Sequence, residues 1–173
     1  MAKKTTYKFN KEKLAKDLMA RFVKEQTKRL LKYAREELYE MILTREFKSQ
    51  TFNLADSYVW AVYYNGDEKG HGFVGSKRAT RNSVLHEYSS DPSKRIPVDG
   101  RKEATRFLTA FATTAHGYNG WVIVWAACAP YGRYLDPSAG SSSTNRFFVI
   151  SQRYDHIKAT LEPKCKVTFK VGI

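Results

Sequence analysis

The sequence predicts an α+β domain: a long N-terminal helix, an antiparallel or mixed β-sheet, and two further helices packed on it. Three observations carry that expectation. Apolar residues recur every four positions from Leu14 to Ile42, the spacing of an amphipathic helix. Two runs, Tyr58 to Tyr64 and Trp121 to Cys128, are rich in aromatic and β-branched residues and have strand length. Two shorter stretches, near 101–116 and ending near Leu161, again show helical periodicity.

Residues 1–9 read as a flexible basic arm, and residues 10–173 as a single α+β domain. Asn10 is placed to cap the first helix, its side-chain oxygen accepting an orphan N–H of the first turn. From there Leu14, Leu18, Phe22, Gln26, Leu30, Ala34, Leu38 and Ile42 line up, widened by Met19, Val23, Leu31, Tyr39 and Met41. The spacing predicts one apolar face, with Lys and Arg opposite, over 10–46; no Gly or Pro interrupts it. Helices of small domains average three or four turns, so one this long is expected to pack beyond its own domain. Interleaved acids (Glu12, Asp17, Glu25, Glu36, Glu37) argue against a membrane-surface helix.

Residues 51–57 read as a short helical turn capped by Thr51 or Asn53. In the strand that follows, Tyr58, Trp60, Val62 and Tyr64 share one face, opposite Val59, Ala61 and Tyr63. It ends at Asn65-Gly66, a turn signal because both residues accept positive φ. Residues 66–100 are polar, with scattered glycines, Pro92, Pro97 and a basic cluster at Lys77, Arg78 and Arg81; they predict a long loop, functional or mobile. Within it, Ser83 to Tyr88 fits a short element of either kind. Asp99-Gly100-Arg101 opens the second helix, which has Ala104, Phe107, Leu108, Phe111 and Ala112 on its apolar face and is ended by Gly117. Tyr118-Asn119-Gly120 turns the chain into the strand Trp121 to Cys128, and Tyr131 to Leu135 is a further short extended piece. After the flexible 136–143 loop, the closing helix begins near Asn145 or Ser151, with Ile150, Tyr154, Ile157 and Leu161 on one face; Pro163 ends it. Residues 164–173 alternate as a half-buried strand.

With 173 residues, 42% hydrophobic and 14% aromatic, the chain can build a core. No run approaches the ~18 apolar residues of a membrane helix, and the charged start has no signal-peptide core behind it. The cytoplasm, or a particle assembled there, is the expected site of action. A formal charge of +13 favours anionic partners, nucleic acid among them. Lys77, Arg78 and Arg81 are the candidate nucleic-acid contacts.

Catalytic and cofactor patterns are weak. Gly70-His71-Gly72-Phe73-Val74-Gly75 has G-x-G-x-x-G spacing, but it follows a charged turn instead of a buried strand and precedes no helical pattern. It reads as a flexible glycine loop. His71, His86, His116 and His156 form no HxxxH or HExxH pair, and Cys128 and Cys165 form no CxxC. The two thiols read as reduced and structural; a disulfide between them stays open. No cofactor, metal or catalytic residue is predicted. Aromatic stripes belong to cores or interfaces more often than to base-stacking platforms. The candidate interface is therefore Leu14, Leu18, Phe22 and Leu30 on the helix, with Tyr58, Trp60, Tyr131 and Tyr134.

One resemblance is specific enough to name. The chain has Thr51, Asn53, Leu54 and Ser57 in a Thr-x-Asn-Leu-x-x-Ser pattern that opens a strand, behind a long N-terminal helix. Later, a strand leads to Tyr131-Gly132-Arg133-Tyr134-Leu135-Asp136 and then to a closing helix from about Phe147 to Leu161. In this order it resembles the tail-completion and head–tail joining (neck) proteins of tailed bacteriophages. The 66–120 stretch and the 164–173 strand are additional to that pattern. The resemblance implies a structural virion protein without catalysis, made in the host cytoplasm. It would assemble as a homo-oligomeric ring at the neck or tail end, between a portal-side adaptor and the tail tube or terminator, its basic residues near channel DNA. The rival reading is a sequence-nonspecific nucleic-acid-binding module using the basic helix and aromatic strands.

Overall fold

Asn10 caps the first helix. Its Oδ1 accepts the Lys13 N–H at 3.0 Å, and its carbonyl accepts Leu14 N–H at 3.1 Å, so the capping role read from sequence is met. The structure, a computed structural model, describes residues 10–43, 56–73, 85–86, 97–129 and 153–163. Helix α1 spans Lys11–Leu43. Strand β1 is Tyr58–Tyr64, β2 Asp67–Phe73, β3 Leu85–His86 and β4 Pro97–Val98. Helix α2 is Gly100–Ala115, β5 Trp121–Ala127 and α3 Tyr154–Leu161. This is an α+β fold, as the sequence predicts.

The main sheet has the order β2-β1-β5, with both pairings antiparallel. β1 is its centre and is buried at every position but Tyr64. Both faces of an antiparallel sheet are seldom covered; here helices supply the covers. One face presents Tyr58, Trp60 and Val62 to Ala34, Leu38 and Met41 of α1 and to Ile157 of α3. The other presents Val59, Ala61 and Tyr63 to Ala104, Leu108, Phe111 and Ala115 of α2. The alternation read from the sequence thus divides the core in two.

Asn65 (φ 50°) and Gly66 (φ 84°) make the two-residue β1–β2 hairpin turn. A Cβ on Gly66 would stand 2.8 Å from the His116 backbone, so glycine is required twice over, by conformation and by space. Asn65 also ties this end together. Its N–H donates to Gly120 O at 2.9 Å, and Gly120 N–H donates to Asn65 Oδ1 at 2.7 Å.

Three expectations are corrected. Residues 66–100 are not one long loop: 67–73 are strand β2, and Leu85–His86 pairs antiparallel with Pro97–Val98. Residues 70–73 of the supposed glycine loop form the second half of β2. Its glycines are there because side chains from neighbouring elements occupy the Cβ positions: the Trp60 indole would lie 2.7 Å from a Cβ at 72, and Leu31 Cδ2 2.9 Å from one at 70. Lys69 is skipped between the pairs Val62↔Gly70 and Tyr63↔Glu68, a bulge that re-aims this edge strand.

The third correction concerns α1. A period of four is longer than the helical 3.6, so each step advances the stripe about 40° around the axis. Leu14, Leu18 and Phe22 therefore face away from the sheet that buries Ala34, Leu38 and Met41. Helix α2 starts one residue earlier than expected, with Asp99 Oδ1 accepting Lys102 N–H at 3.0 Å. It ends at Ala115 with His116 as cap, Gly117 following in a turn closed on the Thr114 carbonyl. Helix α3 is the closing helix, with Arg153 as its N-cap residue.

Candidate interaction surface

Every residue of α1 from Lys11 to Phe22 is exposed, and partial cover begins only at Val23. Its first three turns thus stand clear of the described domain. Leu14 is 43% exposed, Leu18 56%, Met19 59% and Phe22 56%. Large apolar side chains this open at i, i+4 and i+8 form a contiguous stripe, which marks an interaction site more often than chance exposure. Along these turns and the next, Lys11, Lys13, Lys16, Arg21, Lys24, Lys28 and Arg29 outnumber Glu12, Asp17 and Glu25. Glu25 is held by Lys28 Nζ at 3.0 Å.

The C-terminal half of α1 is different. Ala34, Leu38 and Met41 are fully buried, and Glu37 is buried with them. Arg153 Nε and Nη2 donate to Glu37 Oε2 at 3.2 and 3.0 Å, and His156 Nε2 lies 3.4 Å from Glu37 Oε1. Both carboxylate oxygens are engaged, so the buried charge docks α3 onto α1. The Tyr33 phenol beside them is pushed up to about 12 by burial and by the Glu37 charge, with Arg153 opposing. Trp125 Nε1 donates to Ala34 O at 2.9 Å, pinning β5 to the same helix.

On the other side of the sheet, Asp56 and Ser57 are buried just before β1. Among the described residues Asp56 Oδ1 has no hydrogen-bond partner. Its carboxyl is pushed up by burial; the Arg101 charge opposes the rise and that of Asp99 adds to it. The Cys128 thiol nearby is free. Burial pushes it up to about 12, with the Glu103 charge adding, which suppresses the thiolate that redox or nucleophilic chemistry needs. Among the described residues no group of three or more His, Cys, Asp or Glu is arranged to hold a metal ion. Lys102, Thr105, Arg106, Thr109, Ala110 and Thr113 line a shallow open groove. All six lie on α2, so it is a furrow between the side chains of one helix. No described helix is long and apolar enough to cross a membrane.

The predicted interface residues separate into four groups. Leu14, Leu18 and Phe22 are at the surface, together on one stripe. Leu30 is half-buried against the α1-side core. Tyr58 and Trp60, 1% and 9% exposed, are core residues and not a contact surface in the folded chain; the aromatic runs form the interior because β1 is central. Tyr131, Tyr134, Lys77, Arg78 and Arg81 lie outside the described residues, as do the 131–135 and 164–173 segments and Cys165. Sequence reading counts Tyr39 in the widened apolar stripe and does not single out Leu43, yet they are 42% and 74% exposed. Angular position around α1, in place of four-residue spacing, would have found them. Compared with protein families, with curated proteins and with solved structures, the chain matches none.

Proposed function

We propose that this chain is a structural subunit that works by assembling. The setting its sequence pattern implies is a ring at the neck or tail end of a tailed bacteriophage. The observation that carries the assembly reading is the exposed stripe Leu14, Leu18 and Phe22 on turns of α1 that its own domain leaves uncovered. A helix held out at this cost in exposed apolar surface finds its compensation in a partner. A head-to-tail contact between copies that closes on itself would bury it in every subunit. The basic side chains flanking the stripe suit a channel that DNA passes through, since phosphate contacts need no sequence reading.

The test is particle mass by light scattering, with electron microscopy of the same sample, with and without duplex DNA at low and moderate salt. The expected result is a free subunit of discrete mass, indifferent to DNA at moderate salt, and closed rings larger than a dimer where it has assembled on its partners. A stoichiometric DNA complex whose affinity falls steeply with salt, formed by a protein that makes no ring, would replace this reading with a nucleic-acid-binding module.

A further inference from the structure

The outward side of α1 is longer than the exposed N-terminal stripe. At about 100° per residue, Leu14, Leu18, Phe22, Tyr39 and Leu43 fall within an arc of about 100°. Ala34, Glu37, Leu38 and Met41, all buried, fall in an arc roughly opposite. Of the large hydrophobics exposed among the described residues, all but Met19 therefore lie on one side of one helix. Charge is spread unevenly along that side. Its first half carries Lys11 and Arg21 beside the leucines. Its second half carries Arg29 and Lys32 near the middle and Glu36 and Glu40 beside Tyr39 and Leu43.

We propose that two copies of the chain pair through this side, α1 antiparallel to α1 about a two-fold axis near residues 28 and 29. In that register Leu14 meets Leu43 of the second copy, and Leu18 meets Tyr39. Arg21 comes opposite Glu36, and Glu25 opposite Lys32. Each contact occurs twice by symmetry, as an isologous interface demands. The uncovered half of each helix, with Arg21, lies along the half of the other copy that carries Glu36 and that its domain supports. A parallel pair would set Arg21 beside Arg21 and Glu36 beside Glu36, so charge selects the antiparallel direction. Lys28 and Arg29 approach their own symmetry mates near the axis, a cost reduced by Glu25, which lies 3.0 Å from Lys28. The inference stands on α1 alone and does not rest on the ring reading. A two-fold pair has no head-to-tail direction, so it is a form of the free subunit that a polar ring would have to open.

The test is sedimentation equilibrium of the full chain at moderate salt, where repulsion between two basic subunits is screened. The variants are Arg21→Glu, Glu36→Arg and the two combined. Both positions are exposed on a helix, and circular dichroism checks that each variant folds. The expected result is a wild-type dimer, weakened about tenfold by either single reversal and restored by the double reversal. In a mixture of Leu18→Cys and Tyr39→Cys chains, the cross-link expected joins unlike chains. A wild-type protein that stays monomeric at high concentration overturns the proposal. So does a double reversal as weak as the singles, or a Leu18→Cys chain that cross-links with itself.

Discussion

Trp60 and Gly72 face each other across the β1–β2 ladder, and that one pairing shows what single residues settle here. The indole lies where a side chain at 72 would go, 2.7 Å from a Cβ built there. Trp60 is itself 9% exposed and hemmed by the α1-side core, so it has little room to swing away. Gly72→Ala is expected to cost about 2 kcal/mol, the usual penalty for overpacking. Urea unfolding would show it as a lower midpoint with an unchanged slope. The glycine is visible in the sequence, but its reason is not, because the tryptophan that needs it stands twelve positions away on another strand. Asn65-Gly66 is legible for the converse reason: the turn's requirement for positive φ is local. Asp56 gives a second prediction. Its carboxyl is raised in the folded state by burial, so the stability it contributes is full below its unfolded pKa, near 4. That contribution is lost as pH rises through the folded value. Asp56→Asn removes this titration, so its unfolding free energy should fall less than the wild type's between about pH 4 and neutrality. Parallel pH profiles for the two proteins would show that Asp56 is not strained in the fold.

At the scale of elements, the contrast between β1 and β2 explains which parts the sequence announces. β1 is apolar on both faces because helices cover both, so composition alone marks it as a strand. β2 reads Asp-Glu-Lys-Gly-His-Gly-Phe, with no alternation and no strand-forming residue but Phe73. It becomes a strand because the tight turn delivers it to an unpaired edge of β1, and its charges suit an edge. No local pattern carries that information. Helix α1 was legible in type and in its cap. Its two faces were not, since a four-residue recurrence looks like one stripe until its drift is added up. The docking of α3 depends on an equally non-local pair, Glu37 with Arg153, more than a hundred positions apart. Among the described residues Arg153→Ala leaves the buried carboxylate with the half-exposed His156 as its one remaining ion-pair partner. A loss of about 2 kcal/mol is expected, below the full buried-pair value because Arg153 keeps some solvent contact. Hydrogen exchange should speed up first in α3. Adding Glu37→Gln should recover part of the loss, because it removes the stranded charge. If exchange in α3 stays at the wild-type rate in Arg153→Ala, apolar contacts of Ile157 and not the ion pair hold the helix.

For the whole molecule, folding and assembly occupy different parts of α1. The layers that make the domain stable, α1 and α3 on one face of the sheet and α2 on the other, draw on α1 only from about Val23 onward. The turns before it bury nothing within the described domain. A chain lacking residues 1–22 is therefore expected to keep its fold. It should lose no more than about 1 kcal/mol, the scale of a helix cap and a few exposed turns. The same deletion removes Leu14, Leu18, Arg21 and Phe22, which are half of the self-complementary side and all of the uncovered stripe. Unfolding curves and particle mass measured on one preparation should then diverge: near-native stability, and a monomer where the full chain associates. A deletion that unfolds the domain would mean that the exposed turns are packed against the rest of the chain and belong to its core. A deletion that folds and still associates would shift the contact to the C-terminal half of α1 or to the sheet. The outcome depends on the physics that keeps six large apolar groups in water on a single chain. Such exposure raises the free energy of the monomer and lowers that of any form that covers it.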